Sequence, residues 1–371
     1  MRKNNVMGVV FTNLNENLLP ELTQQRSMAS VPFGGRYRLI DFALSNLVNA
    51  GIGKVGVITK ENYQSLMDHI GSAKSWDLDR KNGGLHILPP YGRAGSYGMY
   101  KGKVDALKGI YNYLENSQEQ YVVLYDCNSV LNIDIGAMVE QHISSAADMT
   151  IAYCSGRLPS DPNVIAMEFS DERVCRVTMP ENNLITGNYG LGIIVIARSL
   201  LMSLVSEASA ENKWHFARDV IMPNVDNLII KGYRFDGFAV NMDSAQTYVE
   251  ANMSLLSGDV RADLFNRSRP IYTKVKDAMP TRYGIASHVE NSLIADGCVI
   301  EGSVKNCILF RGVKVGKGAC LENCIIMQGS VIGNNADLKY VTIDKGAKVG
   351  ANRELCGAPS YYIFIKKGAE V

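Results

Sequence analysis

From Val289 onward the chain carries an internal repeat of six residues. Ile294 and Ile300; Leu309, Val315 and Leu321; Ile326, Ile332 and Leu338; and Ile343 and Val349 are each spaced by six, with Gly, Asn and Ala at the turns. Hexapeptide periodicity of this kind specifies a parallel β-helix whose coils stack their aliphatic residues into a column. The pattern constrains architecture strongly and says almost nothing about chemistry. An open β-helix flank exposes strand edges and apolar surface, so association with another subunit is the natural way to cover it.

The front of the chain has a different rhythm. Val6-Met7-Gly8-Val9-Val10-Phe11 is a short apolar run boxed by polar residues and reads as a buried strand. Asp41 then opens an amphipathic segment with Phe42, Leu44, Leu47 and Val48 at helical spacing, Gly51 supplies a stop, and Val55 to Ile58 forms a second strand. Strand, long loop, helix, strand is the start of a nucleotide-binding α/β unit. Tyr63, Leu66, Met67 and Ile70 predict a helix, Leu85 to Leu88 a strand ended by two prolines, and Lys103 to Glu115 another helix. The Gly- and Tyr-rich segment from Tyr91 to Tyr100 has the composition of a mobile surface loop able to close over a site. Tyr121 to Tyr125 is the continuous apolar run of a central parallel strand, and it ends on Asp126, where α/β proteins place ligand and metal contacts. Met149 to Cys154 and Leu191 to Ile196 read as further strands, and Trp214 to Pro223 as a helix closed by proline. The expected organisation is an α/β domain over residues 1–260, a linker over 261–285 and the β-helix over 286–371.

With 38 Lys and Arg against 37 Asp and Glu there is no basic excess to attract nucleic acid. Eight cysteines lie without a C-x-x-C pair or a histidine at ligand spacing, the pattern of buried, reduced thiols in a cytoplasmic protein and not of a zinc site. No apolar run approaches the ~20 residues of a membrane span, and the first residues lead into a strand without a signal-peptide core.

The string VPFGGRYRLIDFALSN (Val31 to Asn46) resembles the signature of the bacterial ADP-glucose pyrophosphorylases, or glucose-1-phosphate adenylyltransferases. The likeness continues in SWDLDRKNGGLHILPPY, in GMYKGKVDAL and in the hexapeptide region, so it covers nearly the whole chain. It implies a Rossmann-like nucleotidyltransferase domain with a mostly parallel sheet, a left-handed β-helix, and transfer of adenylate from ATP to glucose 1-phosphate with loss of pyrophosphate.

The departures from that family are as informative. Active members carry a G-G-x-G-T-R-L loop after the first strand, with the Lys of R-A-K-P ten residues beyond its Arg. Here the loop falls on Asn13 to Leu19, which has no glycine; side chains obstruct the backbone approach a triphosphate needs, and Glu16 adds a repelling charge. The family's catalytic Arg falls on Leu18 and its Lys on Met28. Neither residue can offset charge on a transferring phosphoryl group. The resemblance puts a first Mg²⁺-binding Asp on Asp126 and the second on Asn241, whose amide removes a full charge; Asp243, two residues on and on the same face if the strand continues, is the alternative metal ligand. The sugar-phosphate Lys falls on Met179, and the family's S-M-G-x-Y reads Asn188-Tyr189-Gly190-Leu191-Gly192. In the W-Y-x-G-T-A-D-A segment Tyr100, Gly102 and Asp105 are kept, while Trp has become Met99 and Thr has become Lys103. Tyr100 serves either ligand contact or packing. Arg26, Arg36 and Arg38 fall where relatives bind phosphorylated effectors, or are simply solvated charges.

Two functional classes follow. One is an adenylyltransferase in its own right, with Asp126 and Asp243 holding Mg²⁺. The other, favoured by the lost loop, Arg, Lys and Asp, is a regulatory, catalytically deficient subunit that needs no cofactor itself and assembles, as a hetero-oligomer expected to be a tetramer, with an active paralogue that uses Mg²⁺. A hexapeptide-repeat scaffold is a third.

Overall fold

A computed structural model describes residues 5–12, 18–90, 100–180 and 186–371. The amino-terminal part is built on a nine-stranded sheet. Its strands, in chain order, are β1 (Val6–Phe11), β2 (Lys54–Ile58), β3 (Gly84–Leu88), β4 (Tyr121–Asp126), β5 (Met149–Arg157), β6 (Ala166–Ser170), β7 (Arg173–Thr178), β8 (Thr186–Ala197) and β9 (Ile230–Arg234). In space they run β3-β2-β1-β4-β8-β5-β9-β7-β6. The block β3-β2-β1-β4 is wholly parallel, as the continuous apolar runs require, and β8 then enters antiparallel to both β4 and β5. The parallel character expected of the sheet is therefore confined to this block and to the pairing of β9 with β5, and the remaining pairings are antiparallel.

Alternation along β1 divides the core in two. Val6 and Val10 pack with the layer that contains helix α1 (Leu39–Asn49), whereas Met7, Val9 and Phe11 pack with the layer that contains helix α2 (Lys103–Gly109). Residues on opposite faces of one strand thus hold both helical layers to the sheet. Helix α1 starts two residues before the expected Asp41, because Asp41 sits one turn in and accepts a hydrogen bond from the Arg38 N–H (3.0 Å).

Two expected helices differ. Lys103 to Glu115 is broken into α2 and a second short helix, Tyr111–Glu115. Gly109, the last residue of α2, has the Tyr100 ring packed on it, and glycine weakens a helix interior. The segment ending in proline is a π-helical turn, Phe216–Ile221, followed by a 3₁₀ turn that contains Pro223.

The carboxy-terminal part is a parallel β-helix of three five-stranded faces. Every residue of the six-residue repeat is in its core or packed against it. The side chains stack in three columns, one per face, not in a single column. Ile300, Val315, Ile332 and Val349 are aligned on one face; Leu309, Ile326 and Ile343 on another; Leu321 and Leu338 on the third. A step of six moves to the next face, and a step of 15 or 17 returns to the same one.

The expected linker is shorter and is tied down. Helix Gly258–Leu264 covers its start and the first β-helix strand, Arg282–Tyr283, its end. Between them Tyr272 N–H donates to Ser45 Oγ (2.9 Å) and the Pro270 carbonyl accepts from Asn49, so the chain is strapped along α1. The two parts share a core: Leu22, Met28, Phe33, Leu39 and Phe42 pack with Ile308, Phe310, Ile325 and Met327. All eight cysteines are free thiols; five are buried as expected, but Cys175, Cys320 and Cys356 are exposed. Among the described residues no helix is long and apolar enough to cross a membrane.

Candidate functional site

A cavity of about 160 Å³ opens where β1, β2 and β4 end, lined by Phe11, Ile58 and Asp126. The carboxyl ends of adjacent parallel strands are where open α/β sheets hold ligands. Its far wall comes from Tyr100 to Lys103 and from His215 to Ala217. These two walls are in close contact. A Cβ on Gly102 would lie 2.4 Å from the Trp214 carbonyl oxygen, so only glycine lets α2 begin there. The π-helical turn is held from below by Asp219, whose Oδ2 accepts from the Trp214 and His215 N–H groups.

A second, smaller cavity of about 50 Å³ continues from the first behind Asp126. It is lined by the polar groups of Lys103, Asn128, Asp161, Asn163 and Asn241, with Gly190 and Gly192 forming its floor. Asp161 accepts from Asn128 Nδ2 (3.0 Å) and from the Asn163 N–H (2.8 Å), and burial raises its carboxyl above the usual range. Gly192 has φ of +72°, and a side chain there would strike the Asp126 carboxylate at 2.8 Å.

Asp126 and Asn241, the two positions that the resemblance assigns to a metal, line the same small cavity. The chemistry of the donor set does not suit Mg²⁺. The Lys103 ammonium lies 2.8 Å from Asp126 Oδ2, and both side chains are more than four-fifths buried. Opposite it stands a neutral amide. Asp243 does not line either cavity: the strand Ala239–Asn241 ends before it, its Oδ2 accepts from the Ser160 N–H (2.7 Å) and its Oδ1 from Thr247 Oγ1 (2.6 Å). Among the described residues no group of three His, Cys, Asp or Glu is arranged to hold a metal ion.

The structure thus brings Tyr100, Gly102 and Asp126 to one cavity, and Asp126, Gly190 and Asn241 to its neighbour. Tyr100 combines both roles weighed for it, since it lines the cavity and packs on Gly109. Asp105 is turned to its own helix end, where it accepts from the Lys101 N–H (3.1 Å). Asn188 accepts from Ser155 Oγ (2.6 Å) across β8 and β5, and neither it nor Met179 lines a cavity of the site. Met28 is buried in the core between the two parts of the molecule, and Leu18 packs, partly buried, against it. Residues 13–17 of the altered loop, and residues 91–99 of the Gly- and Tyr-rich segment, lie outside the described residues. Sequence reasoning missed Asn163, His215 and Phe216, which reach the cavity from segments without any motif, and took Lys103 only as a replaced threonine.

The three arginines separate. Arg26 is buried and forms a two-pronged ion pair with Asp344 of the β-helix (2.8 and 2.9 Å). Arg36 and Arg38 instead line a further cavity of about 160 Å³ at the seam between the two parts, with Lys274 and Lys276 from the strap and Arg311 and Lys345 from the β-helix. Burial, then the neighbouring Arg26, brings Arg38 down to about 10 despite nearby Asp41. Burial and adjacent cations likewise lower Lys276 and Lys345. The six cations outnumber the acids beside them, Asp68 in the lining and Asp296, which pairs with both Arg36 (3.0 Å) and Arg311 (3.1 Å), and such an excess of positive charge is suited to an anion.

Residues 17–177 match the family model described as "Nucleotidyl transferase", and residues 277–358 the model described as "GlmU-like, C-terminal hexapeptide". The molecule is therefore a nucleotidyltransferase-type α/β domain followed by a left-handed parallel β-helix. It is similar to the "Glycogen biosynthesis protein GlgD" of Bacillus subtilis (strain 168), 36% identical over 87% of this chain and 84% of the relative, and to that of Geobacillus stearothermophilus, 37% identical over 85% and 82%. The "Glucose-1-phosphate adenylyltransferase" of Geobacillus stearothermophilus is 34% identical over 82% of this chain and 80% of its own. The chain belongs to this glucose-1-phosphate adenylyltransferase family of glycogen biosynthesis, which includes the GlgD proteins.

Proposed function

We propose that this chain is a catalytically deficient, regulatory subunit of a glucose-1-phosphate adenylyltransferase, acting in the cytoplasm by assembly with an active paralogue. The observation that carries the reading is the place of Leu18 and Met28. Where the family resemblance puts a reactive Arg and Lys, this chain has two apolar side chains, Met28 buried in the interdomain core and Leu18 partly buried against it. Removing one preorganised charge contact from a transition state typically costs 10²–10³ in rate, and two are missing. The partner supplies the Mg²⁺-dependent chemistry, and this chain biases its conformational equilibrium. The six-cation seam supports a phosphorylated metabolite as effector, since Arg36 and Arg38 meet there with charges from both parts of the molecule.

The test is ADP-glucose synthesis by this chain alone, by an intact paralogue alone and by the two together, each with and without a phosphorylated sugar. Alone, the chain should turn over far more slowly than an ordinary enzyme's ~10 s⁻¹. The mixture should co-elute in size-exclusion chromatography, and its affinities should differ about 5–150-fold from those of the paralogue, the usual range of allosteric coupling. Separate elution with unchanged kinetics would sink the proposal, and ordinary turnover by the chain alone would restore the reading as an enzyme.

A further inference from the structure

The family implies a divalent cation at Asp126, and the residues around Asp126 do not fit one. We propose that the ammonium group of Lys103 is a resident cation that takes the place of a divalent metal at Asp126 and closes this site to divalent ions. The inference concerns the pocket of this chain alone and does not depend on the regulatory role.

The placement of Lys103 is unusual for a lysine. It is the first residue of α2, where the helix dipole disfavours a positive charge, and its side chain is 15% exposed. Three contacts hold it there. Its Nζ bonds Asp126 Oδ2 at 2.8 Å and lies 5.0 Å from the Phe11 ring centre and 5.9 Å from that of Phe216. A cation between a carboxylate and two aromatic faces is well compensated. A Cβ at Gly192 would lie 2.8 Å from Asp126 Oδ2, so it takes a glycine there to leave room for the paired carboxylate.

The remaining donors of the small cavity do not restore a metal site. Asp161 is hydrogen-bonded to Asn128 and Asn163, and Asn241 is neutral. Asp126 Oδ1 and Asn241 Oδ1 are buried without a protein partner, so oxygen lone pairs are present, but a divalent ion shared between them would sit beside the ammonium. Mg²⁺ and Mn²⁺ need carboxylate charge to offset dehydration, and here that charge is already neutralised.

The experiment uses the full chain with Mn²⁺ alone as probe, read by electron paramagnetic resonance and water-proton relaxation. Acidic surface sites bind some Mn²⁺, so the quantity read is the part removed by Asp126→Asn. In the unsubstituted chain that part should be nil. Lys103→Thr should create Asp126-dependent binding at least about tenfold tighter than the weakest binding the titration would detect in the parent, given the repulsion lost, and Lys103→Thr/Asp126→Asn should abolish it. If Lys103→Thr does not fold by circular dichroism, Lys103→Met, which keeps the side chain's length, makes the same comparison. Asp126-dependent Mn²⁺ binding to the unsubstituted chain would overturn the proposal, and so would a folded Lys103 variant that binds Mn²⁺ no better than its parent.

Discussion

At the scale of single residues, the Arg26–Asp344 pair commits two charges to the interior, each side chain about 95% buried and one Arg nitrogen, Nη1, left without a partner. Breaking a buried pair strands a charge and typically costs ~3–5 kcal/mol, whereas replacing both partners by apolar groups is often neutral. Arg26→Met should lower the free energy of unfolding by about that amount, and Arg26→Met/Asp344→Leu should recover most of it in chemical denaturation. A buried histidine gives a pH test. His142 faces Thr150 Oγ1 at 2.9 Å and the edge of Tyr121, and burial lowers its pKa to about 4 from an ordinary ~6.5. The unfolded chain therefore binds the extra proton first as pH falls. The stability tied to neutral His142 is complete above about pH 6.5 and is lost as pH falls through about 4. Between pH 7 and 5 the folded state should lose on the order of 1–2 kcal/mol more than His142→Asn does, measured as the difference in denaturation midpoints.

At the scale of elements, the site depends on helix ends and strand ends more than on helix interiors. The helix Ala245–Ser254 begins at Ser244, whose Oγ accepts from the Thr247 N–H (3.1 Å), and its Tyr248 hydroxyl donates to the Pro32 carbonyl (2.8 Å). Loss of such a cap costs about 1 kcal/mol. Ser244→Ala should destabilise the chain by that much while leaving far-ultraviolet circular dichroism unchanged at 25 °C, and a loss near zero would show that Thr247 has found another acceptor. In the β-helix the three columns share the stabilising work, so each coil depends on the coils on either side.

At the scale of the whole molecule, the two parts are not independent modules. The core that joins them contains Phe33, Leu39 and Phe42 on one side and Ile308, Phe310 and Met327 on the other, all buried. Side chains of this size each contribute roughly 1.5–3 kcal/mol by burial. Calorimetry should therefore record one cooperative unfolding transition for the full chain. Two separated transitions would mean that the shared core does not couple the parts. The same junction carries the six-cation seam, so an anion bound there touches both parts at once and can bias how they sit together.

Much of the fold was legible in the chain because local patterns report local burial. The six-residue period identified the β-helix, and the unbroken apolar runs at Val6 to Phe11 and Tyr121 to Tyr125 identified the parallel block of the sheet. The neutral or apolar residues at Leu18, Met28 and Asn241 were likewise visible as departures from the family's charged positions. What remained hidden was which distant residues meet. Arg26 finds Asp344 318 positions away, Lys103 finds Asp126, and Arg36 and Arg38 face lysines from the strap and the β-helix. A side chain's pattern with its neighbours reveals that it is buried or charged, not which charge it will be buried against. That pairing is set by the path of the backbone through the whole molecule, and so the three arginines that read alike in the sequence separate in the structure, Arg26 into a buried ion pair and Arg36 and Arg38 into a cavity they share with four other cations, while Lys103 meets Asp126.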